Sequence, residues 1–458
     1  MNFFSENKSW VWLSPLLLIT YFLFGEVSLI LLFLFTLLIF LSKNKNIISI
    51  GIIVGYLAAS NQVFPQYRFY ISLFLTLSLI SFFLKENGLN FKSYPKLPKE
   101  IIIFMLLLMF TLLLSTSFSQ NPLVSLVVSI RMIVFLVIMY IFYANLYKLN
   151  NVYTYFNALI VVMIILGIYM IIDLFQLGIE RFFARTVISD KDKLLASVGN
   201  TGITIYFIAI SFLTVLFFNN KLRQKYLLIV LYILNIIFLI LANSRGGIAA
   251  AILSTTFIIF SLNKRILLKI AIILTSMTFL IFIFFPGLIE IIDIYLRWHT
   301  IGDREAYWQI GLEVINDYPI FGIGPGLFSN YFFSYASSSH VNFFSLPGIE
   351  TGSPHPHNFF LYFMSENGIL GLLTAISFFY IFFLLVKKTL KLTKKKNKEH
   401  YLISIAITGS GIGIFFKGMI EVNGFLQYGF ITTDLPFWLI YSLLIWIYQN
   451  NRNIKVKS

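Results

Sequence analysis

Uninterrupted apolar runs of about 15–25 residues recur along this chain and constrain its fold more than any other feature. As helices rising about 1.5 Å per residue, such runs match the roughly 30 Å hydrocarbon core of a bilayer. Segment 101–114 does not alternate apolar and polar residues, so it does not read as a strand of a membrane barrel. Only 12% of the 458 residues are charged, about half the share in soluble domains. The mean hydropathy is +0.86. The fold class that follows is all-α, a polytopic transmembrane helix bundle.

Candidate spans fall near 10–25, 27–42, 47–63, 68–84, 101–118, 123–147, 152–178, 198–219, 226–242, 247–262, 268–285, 358–386, 401–420 and 435–449. The first four are short and closely spaced, which gives about 12–14 crossings. The first run begins at Trp10 after a single Lys8, with no small-x-small cleavage site behind it, and reads as a retained span. Three regions follow: a transmembrane bundle over 1–285, a long polar loop over 286–357, and transmembrane helices with a basic tail over 358–458.

A net charge of +15 would suit nucleic acid, but its placement argues otherwise. With the C-terminus in the cytoplasm and the spans alternating, 24 of the 34 basic residues fall on one side, with 4 of the 19 acids. That asymmetry is the positive-inside pattern, so the basic charge is a topology signal and both termini are expected to be cytoplasmic. Cysteine is absent, which excludes disulfides, cysteine–zinc sites and thiol catalysis.

Three segments lie on the opposite side, at 179–200, 286–357 and 421–434. The long one holds Trp298, Tyr307, Trp308, Tyr318, Phe328, Tyr331, Phe332 and Phe333, too many aromatics for a disordered tail. Within it, 303–316 reads as an amphipathic helix with Asp303 as N-cap. Trp308, Gly311, Leu312 and Ile315 share the face expected to meet the bundle. Asp317 to Gly326, with two prolines and three glycines, ends that helix.

Groups able to do chemistry gather on the same side. Ser244-Arg245-Gly246-Gly247 forms a short turn between two spans. Its arginine either snorkels to headgroups or offers a two-pronged guanidinium to a phosphate, and its glycines allow close approach. Arg304 is either a solvated member of an Asp-Arg-Glu run or a second phosphate or sugar contact, with Tyr307 and Trp308 as stacking or interfacial rings. Arg181 and Arg185 either bind an anionic carrier or touch headgroups. Arg131 and Asp173 lie within or at the edge of spans. Phe321-Gly-Ile-Gly-Pro-Gly326 lacks a preceding strand and a Lys-Ser/Thr ending, and reads as a structural turn rather than a nucleotide loop.

His355-Pro-His357-Asn358 is the remaining constellation. Two histidines at i, i+2 suit a shared metal only with a third ligand. None has matching spacing, although His340, Glu350 and Glu366 are conceivable. A catalytic base is the better functional reading, because imidazole takes a proton near neutral pH, with Asn358 or Glu366 to orient it. A hydrogen-bonded histidine at a helix entry is the plain alternative.

Taken in order, these motifs resemble the O-antigen ligase and O-antigen polymerase superfamily of bacterial inner-membrane glycan transferases. The resemblance rests on Ser-Arg-Gly-Gly at 244–247, the helix bearing Arg304 to Trp308, and Asp-Tyr-Pro-Ile-Phe-Gly-Ile-Gly-Pro-Gly at 317–326. It continues with His357-Asn358-x-x-Leu361 and with Glu366-Asn-Gly-Ile-Leu-Gly371. It covers about residues 195–386.

It implies a glycosyltransferase in the inner membrane that acts on the periplasmic side. The glycan passes from an undecaprenyl diphosphate donor to a hydroxyl acceptor, by a metal-independent, inverting route with no cofactor and no nucleotide. By motif match, His357 is the implied base, and Arg245 and Arg304 the implied diphosphate ligands. His355, Trp308, Arg181 and Arg185 are secondary substrate-binding candidates. A ligase of lipopolysaccharide biosynthesis, acting on lipid A-core, is the leading expectation. A polymerase of the same superfamily, with a second lipid-linked glycan as acceptor, is the alternative, and a protein-glycosylating relative is a third. A polysaccharide transporter or flippase is the rival from another class, but it would place its charges at mid-membrane.

Overall fold

The computed structural model describes residues 94–149, 153–184, 199–219, 222–242, 244–266, 302–338, 354–422, 424–428 and 431–453. A few isolated positions are described besides, at 52–54, 57, 75, 76, 79, 80, 83, 84, 151, 268 and 269. The expected spans at 10–25 and 27–42, most of those at 47–63, 68–84 and 268–285, and Arg185 lie outside the described residues.

The described residues form an all-α bundle. Its helices are α1 (Lys99–Ser117), α2 (Pro122–Leu149), α3 (Thr154–Ala184), α4 (Gly199–Asn219), α5 (Leu222–Leu241), α6 (Arg245–Leu262), α7 (Gly302–Asp317), α8 (Phe328–Ser338), α9 (Phe359–Thr393), α10 (Lys398–Gly418) and α11 (Ile431–Asn453). Six of these, α1, α2, α3, α6, α9 and α10, contain stretches long and apolar enough to cross a bilayer. Their surfaces suit lipid. On α1, Ile101, Phe104, Leu108 and Thr111 are buried, whereas Ile103, Leu106, Phe110 and Leu113 stand exposed on another face. A helix apolar all round has this pattern when one side packs on protein and the other meets hydrocarbon.

Between helices, small and hydroxylic residues do the joining, as expected where no hydrophobic gain separates lipid from protein. α10 lies against α6 with Gly409 over Ile258 and Ser254, and Gly413 over Ser254 and Ala250. Ser254 Oγ donates to the Gly409 carbonyl at 2.7 Å. A side chain at either glycine would meet the α6 backbone carbonyls within about 3 Å, so the pair is as close as helices come. This contact matters for the site. It holds the start of α6, at Arg245, beside the end of α10, just before Glu421.

The long loop folds back onto α9. The helix expected over 303–316 is α7, but its buried face is one residue out of phase with expectation. Tyr307, Ile310 and Val314 are buried, Trp308 and Ile315 are only partly covered, and Leu312 is 55% exposed. Tyr307 stacks on Phe332 of α8 and meets the His357 ring, while Gly311, on the expected face, is buried beside Pro356. Beyond α7, the glycine-rich segment docks on a break in α9 at Gly368 (φ +63°). Ile323 and Gly324 donate their N–H groups to the carbonyls of Ser365 and Glu366 at 3.1 and 2.9 Å, and Ile369 donates to Pro319 O at 2.9 Å. The Glu366 carboxylate accepts from Gly326 N at 2.8 Å and Phe328 N at 2.9 Å, which caps α8. The turn is therefore structural, as expected. Glu366 is occupied by this clasp and is not the partner of the histidines.

Polarity divides the two ends of the bundle. Lys99, Lys264, Arg265, Lys388 and Arg452 lie at the ends of α1, α6, α9 and α11 away from His357, where Lys388 pairs with Glu100.

Candidate functional site

His357 lies immediately before α9, whose N-cap is Asn358. The Asn358 carboxamide oxygen accepts from Phe360 N and Leu361 N at 2.9 and 3.1 Å, and its amide donates to Met419 O at 3.1 Å. Asn358 is thus spent on the helix entry and the α10 terminus. The His357 backbone has φ +46°, a left-handed conformation that costs a non-glycine residue about 1–2 kcal/mol. That conformation turns the ring toward Glu421, whose Oε2 lies 3.2 Å from Nδ1. Tyr307 from α7 meets the ring edge-on at 5.1 Å, and His355 does so at 4.2 Å.

Glu421 is the hub. Its other carboxylate oxygen accepts from Arg304 on α7 at 2.9 Å, and the side chains of Arg304, His357 and Glu421 are 28%, 27% and 17% exposed. Arg304 is therefore paired with an acid on a distant segment of the chain. Burial alone would raise the Glu421 carboxyl, but the His357 hydrogen bond and the neighbouring cationic groups bring it down to about 2. His355 goes the other way from the usual imidazole value. Burial, helped by the adjacent His357, pushes it down to about 4, and its Nδ1 is buried with no hydrogen-bond partner among the described residues.

Arg245 opens α6 and is exposed. Ser244 caps the helix by accepting from Gly247 N at 3.1 Å. Gly246 and Gly247 are buried, facing Ile420 and Ile203, so they serve close packing of α6 rather than a left-handed turn. Gly246 against Ile420 sets the residue after Arg245 beside the residue before Glu421. Arg245, Arg304, His355 and His357 thus gather at one end of the bundle.

Trp308 is half-buried on α7, one turn beyond Arg304, and its indole N–H is buried with no hydrogen-bond partner among the described residues. Arg181 lies past Gly178 (φ +73°), where α3 kinks. Arg131 donates from Nε to Tyr428 O at 2.7 Å and ties α2 to the segment before α11.

Two residues were not legible as site members. Glu421 lies 64 positions beyond His357, and its only signal is an acid at the end of an apolar helix where cationic groups gather. It also corrects the expectation that the histidines lack a third ligand. His355, His357 and Glu421 bring possible ligand atoms within 4.8 Å of one another, although the Arg304 guanidinium shares that carboxylate. Lys417, fully buried near the end of α10, donates to Thr204 Oγ1 at 3.1 Å.

An apolar multi-helix bundle with imidazole, guanidinium and carboxylate groups collected at one end defines a multi-pass membrane protein with a polar site. Over residues 228–376 the chain matches the protein family described as O-antigen ligase. The matched stretch includes Arg245, Arg304 and His357, and Glu421 lies beyond it. No curated protein matches this chain.

Proposed function

We propose that the protein is an O-antigen ligase-type glycosyltransferase. It moves a glycan from undecaprenyl diphosphate to a hydroxyl of lipid A-core, at the periplasmic face of the bacterial inner membrane. The observation that carries this reading is the position of His357. Its ring is joined to Arg304 through Glu421, at the bundle end where Arg245 opens α6 and opposite the basic residues.

The chemistry needs few groups. The acceptor hydroxyl gives its proton to His357 as its oxygen bonds to the anomeric carbon. The bond from that carbon to the diphosphate oxygen breaks, and its electron pair leaves with the diphosphate. Attack from the opposite face inverts the anomeric centre. Negative charge grows on the leaving group, and guanidinium groups already in position stabilise that growth. Arg304 and Arg245 suit this role because a guanidinium grips a phosphate by two parallel hydrogen bonds. The donor is already activated, so no nucleotide is consumed. The polymerase reading shares this donor site and differs only in the acceptor.

The test is transfer by the purified protein in nanodiscs, from a defined lipid-diphosphate glycan, to lipid A-core or to a second lipid-linked repeat. Transfer to lipid A-core supports the ligase. Transfer only to the second repeat makes the protein a polymerase. Transfer to neither removes the proposal.

A further inference from the structure

We infer that Glu421 is the positioning residue for His357, fixing the imidazole as its Nδ1–H tautomer and tying it to Arg304. The inference rests on His357 acting as the base.

It begins with what each atom can do. An ionised carboxylate accepts hydrogen bonds and donates none. Glu421 is held ionised near neutral pH, with its carboxyl down at about 2. The 3.2 Å contact between Oε2 and Nδ1 therefore requires the hydrogen on Nδ1. In a neutral imidazole, the lone pair is then left on Nε2, the atom that must take the acceptor's proton. Once Nε2 is protonated, the ring is a cation and the same carboxylate faces it.

Location supports the same reading. Glu421 follows the C-terminus of α10, and its N–H bonds to Lys417 O at 2.8 Å. Carboxylates are disfavoured at a helix C-terminus, where the carbonyl ends are already negative. Lys417, one turn earlier, is the local cation, whereas both carboxylate oxygens are engaged by groups from distant elements, Arg304 and His357. The remaining charged neighbours are His355, beside the His357 ring, and Lys417, which attracts Glu421 electrostatically. Neither competes for the Nδ1 hydrogen as an acceptor carboxylate would.

Glu421→Gln tests this sharply. The amide has one oxygen and one NH2, and Arg304 can only donate, so the oxygen turns to Arg304 and the NH2 to Nδ1. The imidazole must then carry its hydrogen on Nε2, which is the wrong atom for a base. Full-length protein labelled with 15N-histidine in nanodiscs would be compared by NMR, with His357→Gln identifying the signal.

The expected result is an Nδ1–H tautomer in the wild type and an Nε2–H tautomer in Glu421→Gln. The variant's kcat should fall at least about 100-fold, since a mispositioned base forfeits most general-base catalysis. Binding of the lipid-diphosphate donor should stay within about threefold, because the guanidinium keeps its partner. Glu421→Asp keeps the charge and should retain Nδ1–H and recover part of kcat, which also covers a Glu421→Gln variant that fails to fold. An unchanged tautomer in Glu421→Gln, or wild-type kcat, overturns the inference. Full activity in His357→Ala would instead remove the base role itself, whatever the tautomer.

Discussion

At the scale of single residues, the candidate site joins Arg304 and His357 through the Glu421 carboxylate. Arg245 sits at an exposed helix start, and its proposed grip on a phosphate depends on the geometry of its guanidinium. Arg245→Lys keeps the charge and loses the fork, so transfer should fall at least about tenfold and donor affinity with it. An arginine that only reached headgroups would accept lysine with little change, so donor binding and rate in the two proteins separate the cases. His355 makes a second prediction. It is held at about 4, mainly by burial, so it stays neutral in the fold while the unfolded chain binds its proton near the ordinary imidazole value. Between about pH 6.5 and 4 the unfolded state therefore holds more protons, and stability falls as pH falls. The loss approaches about 3 kcal/mol across the full window. Thermal unfolding in detergent at pH 7 and pH 4.8 should show a larger drop in Tm for the wild type than for His355→Gln. The lower pH stays above the window in which Glu421 titrates.

At the scale of elements, the clasp holds the glycine-rich segment on α9, the helix that His357 enters. Gly368 has φ +63°, and a Cβ there would overlap the Ile320 backbone. Gly368→Ala should cost at least about 2 kcal/mol, from the left-handed backbone and the overlap together. Folded yield and Tm would register it, and wild-type stability would mean the break in α9 is not held by this contact. Among the described residues the long apolar helices were legible in the sequence, whereas the short α8 was not. The apolar runs at 101–118, 123–147 and 401–420 end within a few residues of α1, α2 and α10, because length and hydropathy decide a lipid-spanning helix. The phase of α7 was not legible, since Tyr307 is covered by Phe332 and His357, 25 and 50 positions further on. Glu421 was hidden for the same reason. Its partners come from α7 and the entry to α9, and no local pattern marks an acid that is satisfied only in three dimensions.

At the scale of the whole molecule, the account requires a sided protein. The basic ends of α1, α6, α9 and α11 should face the cytoplasm, and the His357 end the periplasm. Single cysteines are straightforward to read, because the natural chain has none. A cysteine in the basic segment 394–397 should resist an impermeant reagent added outside, and one near Ser334 should react. The reverse pattern would invert the topology. The central claim, that His357 drives glycosyl transfer from a lipid diphosphate, is tested most directly by comparing His357→Ala with the wild type in the purified transfer assay. The predicted result is a loss of about 100- to 10,000-fold in rate with donor binding retained, and a milder effect of His355→Ala. Near-wild-type transfer by His357→Ala, or a larger loss in His355→Ala, would contradict it.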